Sequence, residues 1–475
     1  MASPITTSTG LGSGLDIGSI VSALVASDTI ADTTQIKSQT ADVTAKLSGV
    51  SQLKSAMATF QTALTGLSNP SAPAFTGFSA TSSTPATLTT KSDNTAVSGS
   101  YLIAVQQLAT GSKVASASFS GGASSAIPTG TLNISQNGTV YKVTIPDGST
   151  LQSTRDAINS TLKSNGVTAN IVTDANGSRL VLGSTTSGAG SDLSTSGIAG
   201  LVINGTTLMD GSSGSAGYIG AVAQDAKFTV DGLAVSSATN TVTPISGISM
   251  TLLVGAGATS TVAVATNTSG LQTSLQTFIS AYNALTKTIN TLTAPGAIAA
   301  NGTVGDGGAM ANDPLPRSLI ASLRGVLVTP GPGSKLSVLS QLGIQTSQAD
   351  GTLSLDTAKF TSAMNDKNLG GQVQNLFSGT PKADGTPGVN GMLTRMAAVL
   401  TPYTQPGGIL ATRTTSLNSE QRDLTARQTA LNTRTASLTA QLTAKYNAMD
   451  LIVGQLKATA TSITAFFASL NGTKA

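Results

Sequence analysis

The carboxyl-terminal part of the chain carries a leucine at every seventh position, and this repeat constrains the fold more than any other feature. The leucines are Leu410, Leu417, Leu424, Leu431 and Leu438. Further on, the apolar residues move to the other core row of the heptad, at Leu442, Met449, Leu456, Ile463 and Leu470. The register holds over about nine heptads, which is typical of a coiled coil. One leucine per heptad buries too little apolar surface for a lone helix, so this helix requires a partner.

Two other stretches offer a similar narrow apolar seam. Near the amino terminus the seven-residue repeat recurs at Ile36, Val43, Val50, Met57 and Leu64. In the centre, spacings of four and three connect Leu271, Leu275, Phe278, Tyr282, Leu285, Ile289 and Leu292. An amphipathic helix on a globular core is the alternative for each stretch. Together with the last helix, they favour a stalk built from both chain ends and the centre.

The blocks between the heptads carry the patterns of strands and turns. Alternating apolar residues predict strands at 101–105, 141–145, 167–172, 179–182, 228–230, 233–235, 250–254 and 262–264. The dipeptides Asp231-Gly232 and Asp350-Gly351 are typical of hairpin turns, and a Pro-, Ser- and Thr-rich stretch from about Asn69 marks a boundary. We therefore predict a multidomain α+β fold, in which a coiled-coil stalk formed by both chain ends plus central helices carries inserted β-rich head domains.

The composition argues against several kinds of functional site. The chain has no His and no Cys, so the commonest general base and the usual zinc ligands are missing. The sparse Asp residues of the β-blocks stand next to Gly or Asn, which is typical of turns rather than of acid–base catalysis. We predict no catalytic, cofactor-binding or metal site, and no enzymatic activity.

Charge and hydropathy argue against nucleic acid and the membrane interior as partners. The net charge of +4 is small for 475 residues, and the basic residues of the last helix are spread along it, so nucleic-acid binding is not expected. No apolar run approaches the length of a membrane span, so membrane insertion is not expected. The start, MASPITTSTG, lacks the basic and apolar regions of a cleavable secretion signal.

The glycines of GLGSG at 10–14 precede an apolar helix that Asp16 is placed to cap. A phosphate-binding loop has a similar look, but no strand precedes these glycines and no nucleotide-binding lysine or acid follows at the right distance. We interpret the glycines as a flexible lead into a capped helix.

A series of motifs is spread in order along nearly the whole chain. It begins with LGSGLDIGSIVSALV at 11–25 and continues with GSYLIAVQQLAT, STLQSTRDAINS, KFTVDGLAVSSATNTVTPISGISMTLL, LQTFISAYNALTKTI, QLGIQTSQADGTLSLDTAKF and YNAMDLIVGQLKAT. In this order the motifs resemble the flagellar hook-associated protein 2 family, the bacterial flagellar filament-capping proteins. The chain departs from the family at Ser27-Asp28-Thr29, where a Glu and then a Pro are usual.

The resemblance implies a structural cap at the distal tip of the filament. The cap would be a ring-like homo-oligomer that retains exported flagellin and promotes its folding and insertion. Implied partners are other copies of the chain, flagellin, hook–filament junction proteins and a cytoplasmic export chaperone at the C-terminal segment, with host surface ligands as a further candidate. The implied location is extracellular, after export by the flagellar type III apparatus without a cleaved signal peptide.

The resemblance and the heptads together predict five domains. They are an export and anchor segment at 1–35, flexible and helical on assembly; a helical leg at 36–70 and 268–408; a β-rich head at 71–110 and 222–267; an inserted α+β head at 111–221; and a C-terminal coiled-coil helix at 409–475. The anchor motif comprises Leu11, Gly12, Gly14, Leu15, Asp16 and Ile17.

Two alternatives remain open. A surface adhesin or fibre protein shares the coiled-coil stalk and the Ser/Thr-rich β head, but it does not predict heptads at both termini. Another flagellar axial protein, such as flagellin or a junction protein, is distinguished by the inserted α+β unit and by the tail motif.

Overall fold

The computed structural model describes residues 10, 12–298, 303, 305–333, 335–380 and 391–471. The helices of these residues are α1 Ile17–Leu67, α2 Leu151–Leu162, α3 Thr268–Leu292, α4 Pro314–Val328, α5 Thr357–Asn365, α6 Gly370–Ser378, α7 Met392–Thr404 and α8 Ile409–Asn471. The long helices at both ends and the central helix were predicted by their heptads, and the structure confirms them. The predicted cap at Asp16 also forms, because its carboxylate accepts from the Ser19 amide; Asp356 caps α5 in the same way.

The strands are β1 Phe78–Ser82, β2 Leu88–Ser92, β3 Gly99–Gln107, β4 Gly111–Ala115, β5 Gly130–Gln136, β6 Thr139–Ile145, β7 Val167–Asp174, β8 Gly177–Ser187, β9 Ser194–Ser196, β10 Gly217–Tyr218, β11 Ala226–Val230, β12 Leu233–Ser237, β13 Thr241–Ile245, β14 Ile248–Leu252, β15 Ala258–Thr266, β16 Ile344–Thr346 and β17 Leu353–Leu355. Asp231 and Gly232 join β11 to β12 with φ of 48° and 86°, which confirms the predicted primed turn.

The β-rich head combines strands from two parts of the chain. One of its sheets has the order β1-β15-β3-β11-β12, and the other has the order β13-β14-β2. Ile103, Phe228 and Met250 lie buried in their common core. Since β3 comes before residue 110 and β11 after residue 225, the chain between them makes a separate excursion.

That excursion is the inserted head. Its sheets have the orders β10-β4-β8-β7 and β6-β5-β9, and α2 contacts β6 and β7. Leu132, Ile158 and Leu182 are buried in its own core. The alternation of apolar residues in β5 to β8 and the helical spacing of α2 therefore build a small α+β unit around one hydrophobic centre.

The leg is a helical domain in which the second half of α1, α3 to α7 and the start of α8 share one core. Aromatic residues fill its centre. The rings of Phe60 and Tyr282 lie edge-to-face with centroids 6.3 Å apart, and Phe75 stacks on Phe377 at 4.2 Å. Each such aromatic pair stabilises the core beyond the burial of its two side chains. The leg has more buried apolar residues than either head among the described residues.

Four local features differ from the sequence-based expectation. The stretch after Asn69 contains strands β1 and β2, which the Ser- and Thr-rich sequence did not predict. Helix α6 begins with two glycines and was also missed. Helix α7 runs to Thr404 and includes Pro402, so the break before α8 is shorter than expected. Helix α1 runs without interruption across residue 35, the predicted end of the anchor segment.

Candidate functional site: the paired terminal helices

Helices α1 and α8 lie side by side and run in opposite directions. Gly12, just before α1, contacts Asp450, while Asp28 contacts Arg434. As the residue number rises on α1, the number of its partner on α8 falls, which defines an antiparallel pair. The two ends of the chain are therefore the components of the predicted stalk.

The heptad residues nearest the leg are buried in its core. On α1 these are Val43, Val50, Met57 and Leu64, and on α8 they are Leu410, Leu417 and Leu424. Because α3 contributes to the same core, this part of the stalk is a bundle rather than a two-helix coil. The structure thus brings these predicted seam residues together.

A second, smaller apolar cluster lies at the far end of the pair. Ile17, Val21 and Val25 of α1 are buried, and Leu438 and Leu442 of α8 pack against them. Ile17 was predicted as part of the anchor motif, and Leu438 and Leu442 as the crossover between the two heptad rows. The heptad crossover on α8 therefore faces the first three turns of α1.

Between the two clusters the seam is more polar and less tightly filled. Ile36 and Leu431 line a cavity of about 340 Å³, and they remain 9% and 8% exposed. The Arg434 guanidinium bridges the helices here, at 2.8 Å from the carboxylate of Asp28 and 3.4 Å from that of Asp32. These exposed ion pairs contribute little stability, so the middle of the seam is its weakest part.

From about Asp450 onward the apolar side chains of helix α8 are exposed, although Gly454 and Lys457 still lie against Gly12 and Ser13. Its heptad residues Met449, Leu456 and Ile463 are 40%, 64% and 51% exposed, and Phe466 and Phe467 are about as exposed. The side chain of Leu470 lies outside the described residues. We call the segment Leu451–Ser469 the apolar tail. The heptad register predicted these residues as assembly contacts, and the structure gives them no partner within the described chain.

A stretch within Met392–Ser469 is long and apolar enough to cross a membrane by length and composition, with a mean hydropathy of 1.3 and none of it buried. This corrects the expectation that no apolar run approaches that length. The same length and hydropathy occur in soluble helices whose apolar face contacts another helix, so this criterion does not separate the two environments.

The anchor motif at the amino terminus lies against α8. Leu11 is outside the described residues, and Leu15 is 45% exposed. The amides of Gly12 and Ser13 donate to the Asp450 carboxylate at 3.1 and 2.6 Å, and the Ser13 hydroxyl also donates to it. The sequence analysis interpreted these glycines as a flexible lead into a capped helix; the capped helix forms, and Gly12 and Ser13 are in addition held against α8. The contact joins residues 438 positions apart, so no local pattern revealed it.

The carboxylates at this end of the pair are held in their ionised form by hydrogen bonds. The Ser13 hydroxyl, followed by the amides of Gly12 and Ser13, lowers the pKa of Asp450. The Ser19 hydroxyl and amide lower the pKa of Asp16 in the same way. Among the described residues, no group of three or more acidic side chains is placed to hold a metal ion.

A buried arginine in the inserted head was also missed by the sequence analysis. The Arg179 side chain is 3% exposed and lies 2.7 Å from the carboxylate of Asp174. Its other donors reach the carbonyls of Ser116, Ser212 and Ser215. Asp174 was interpreted as a turn residue, and it also anchors this guanidinium.

Comparison with known proteins connects the stalk and the heads to one family. The model for the flagellar hook-associated protein 2 N-terminus matches residues 13–112, and the model for its C-terminus matches residues 223–458. The A-type flagellar hook-associated protein 2 of Pseudomonas aeruginosa is 36% identical over 98% of this chain and 98% of its own length. The chain belongs to the flagellar hook-associated protein 2 family.

Other comparisons place the family's parts on the structure. The flagellar hook-associated protein 2 of Escherichia coli strain K12 is 31% identical over 98% of this chain and 99% of its own length. The crystal structure of the flagellar cap protein FliD D1-D2-D3 domains from Escherichia coli has a TM-score of 0.58 at 30% identity, covering 78% of this chain and 99% of that one. The flagellin hook IN motif matches residues 131–186, within the inserted head.

Membership of the flagellar hook-associated protein 2 family assigns the chain a structural role, that of a flagellar filament cap. The predicted resemblance and the mixed α+β architecture are both confirmed by these matches. The adhesin or fibre alternative is not favoured by them, since relatives matching nearly the full length of the chain are flagellar hook-associated proteins.

Proposed function

We propose that the chain caps the growing tip of the flagellar filament as a ring-like homo-oligomer, which retains exported flagellin and promotes its folding and insertion. In this proposal the heads form the plate of the cap, and the paired terminal helices anchor it. The observation that carries the proposal is the apolar tail. It presents Leu456, Ile463 and Phe466 to the outside at the end of the stalk away from the heads.

The length of α1 separates the tail from the heads. The β-rich head follows the last residue of α1, whereas the tail begins where α1 starts, next to Gly12. At 1.5 Å per residue, the 51 residues of α1 span about 75 Å. With the heads at one end and the unpartnered apolar tail at the other, the molecule is long enough to cover the growing end of the filament with its heads. Its tail can then extend into the filament subunits below.

The chemistry of the tail favours a helical partner. Lys457 is its one charged residue between Leu451 and Ser469, so ion pairing cannot supply most of the binding. Apolar residues in heptad register are buried best against the seam of another helix. We therefore propose that the tail docks among the terminal helices of filament subunits or of junction proteins, and that an export chaperone covers the same C-terminal segment before assembly.

Export is part of the proposal. A chain without cysteine can pass unfolded through a narrow channel without cross-linking, and we propose the flagellar type III apparatus as its route, with no cleaved signal peptide. The proposed final location is the extracellular tip of the flagellum. Binding of the heads to host surface ligands is a separate, secondary proposal.

The test uses a strain deleted for this gene and complemented with variants. The full chain is expected to restore filaments, whereas a chain ending at Asp450 is expected to leave short or missing filaments and free flagellin in the medium. The point variant Ile463→Asp should give the same defect, because a buried carboxylate opposes docking. The control is Gln455→Asp, which adds the same charge within the tail but outside the apolar row.

Electron micrographs of filaments and the amount of flagellin in the medium are the measurements. Normal filaments in the deleted strain would exclude the capping function. Normal filaments with the chain ending at Asp450, but none without the gene, would retain the cap and exclude the tail as its anchor.

A further inference from the structure

The turn before α1 lies against one face of α8. Asp450, Gly454 and Lys457 are spaced at i, i+4 and i+7, so they share that face. Asp450 accepts from the amides of Gly12 and Ser13, and the Lys457 ammonium donates to the Ser13 carbonyl at 3.2 Å. The turn is therefore bound through the amides of Gly12 and Ser13 and through the Ser13 carbonyl, by an acceptor and a donor that lie two helical turns apart on α8.

Two glycines permit the close approach of the backbones. A Cβ added to Gly12 would lie 2.2 Å from the carbonyl oxygen of Asp450, and a Cβ added to Gly454 would lie 3.1 Å from the Cα of Gly12. Gly454 is the single glycine of α8, and glycine destabilises a helix interior relative to alanine. The one such residue in this long helix occurs where the turn touches it, which points to a role in packing.

Beyond the leg, the seam between α1 and α8 contains few contacts that define the register of the two helices. A heptad seam with one leucine per repeat can slip by seven residues and still align leucines. The ion pairs of Arg434 are exposed, and such pairs contribute little. At the end of the stalk away from the leg, the contacts of Gly12 and Ser13 with α8 are thus the most specific ones that the structure contains.

We propose that Gly12 and Ser13 form a clasp with Asp450, Gly454 and Lys457, and that this clasp fixes the register of the α1–α8 pair. A fixed register also determines how much of the apolar tail extends past the clasp, whose last residue on α8 is Lys457. The clasp is a property of the folded chain, so it holds or fails independently of the capping function.

The first test is hydrogen exchange on the purified full chain. In Asp450→Ala the amides of Gly12 and Ser13 are expected to exchange about tenfold faster or more, because they lose their acceptor. The control is Asp423→Ala, which removes an exposed carboxylate from the same helix. Circular dichroism of each variant shows whether the helices remain folded.

The second test measures the register directly. Since the chain has no cysteine, spin labels can be attached at Ser27→Cys and Ala444→Cys alone, which lie at exposed positions of α1 and α8. A slip by one heptad moves one label along the other helix by about 10 Å. In Gly12→Ala the distance distribution is expected to broaden or shift, whereas Gly66→Ala, whose Cβ meets open space, should leave it unchanged.

Unchanged exchange of Gly12 and Ser13 in Asp450→Ala would show that the clasp does not hold the turn. A single unshifted distance in both Asp450→Ala and Gly12→Ala would show that the leg alone sets the register. Either result overturns the proposal, whatever the filament assay shows.

Discussion

The guanidinium of Arg413 lies 2.8 Å from the carboxylate of Asp313. Asp313 also caps α4, accepting from the Leu315 amide at 3.0 Å, so one carboxylate joins the leg to the first turn of α8. The Asp313 side chain is 8% exposed and that of Arg413 is 39% exposed. This ion pair therefore connects α8 to α4 beside the buried leucines of the seam.

Removing Arg413 should destabilise the leg. In Arg413→Ala the nearly buried Asp313 loses its charged partner, and we expect a loss of about 2 kcal/mol in the free energy of unfolding. Denaturant unfolding followed by circular dichroism measures it. The control is Arg422→Ala, an exposed arginine on the same helix, which should change the free energy by less than about 0.5 kcal/mol. Equal effects of the two substitutions would contradict the claim that the Arg413–Asp313 ion pair stabilises the leg.

Two leucines of the same heptad repeat should behave differently in the isolated chain. Leu417 is 2% exposed and Leu456 is 64% exposed. Leu417→Ala leaves a cavity and is expected to cost about 2–4 kcal/mol, whereas Leu456→Ala should cost less than about 0.5 kcal/mol. In the complementation assay, however, Leu456→Ala should impair filament growth. A large loss of stability in Leu456→Ala would mean that the tail has a partner within the chain.

The hairpin of β16 and β17 should lose a stabilising contact in acid. The Ser347 side chain, with the amide and hydroxyl of Thr352, lowers the pKa of Asp350 to about 2 from its ordinary 3.8. Since the folded-state pKa is the lower one, the contribution is complete above pH 3.8 and is lost as the pH falls towards 2.

Exchange of the Thr352 amide in the full chain and in Asp350→Ala measures this contribution. The difference between the two proteins should be full at pH 6 and clearly smaller near pH 2, where about half of the Asp350 carboxylates are protonated. Asp147→Ala, in an exposed turn of the inserted head, should leave the Thr352 amide unaffected throughout. A difference that persists unchanged at pH 2 would contradict the assignment to the Asp350 carboxylate.

Arg179 should be essential to the inserted head. Arg179→Met keeps the apolar stem but leaves the carbonyls of Ser116, Ser212 and Ser215 without their donor, and we expect this head to lose about 3 kcal/mol. Proteolysis should then cut first near Ser212. The matched control is Arg155→Met, which removes the exposed ion pair with Asp156. If both variants resist the protease equally, the conformation of the loop at Ser212–Ser215 does not depend on Arg179.

The heptad pattern predicted which residues of α8 form an apolar face, but not which of them are buried against another helix. Leu417 and Leu456 belong to rows of the same heptad, and periodicity reports only that a helix has an apolar face. Burial of Leu417 depends on α1 and α3, which lie far away in the sequence. The seam near the leg could be predicted, and the unpaired tail could not.

Two other differences have separate causes, one of composition and one of long-range contact. Strands β1 and β2 are rich in Ser, Thr and Ala, and such residues also dominate loops, so propensity alone did not separate them. The glycines before α1 have the composition of a flexible segment. They are ordered by Asp450, a residue that nothing nearby in the sequence indicates, because a long-range contact overrides local preference.

The side-by-side position of the two chain ends has a consequence for the order of events. Gly12 and Asp450 are separated by 438 positions, and contacts so distant in sequence require nearly the whole chain to be present at once. A chain that emerges end-first from a channel can complete its heads while one terminal helix is still inside. Under the export route proposed above, the pairing of α1 with α8 is therefore the last step of folding, and it occurs only after the whole chain has left the channel.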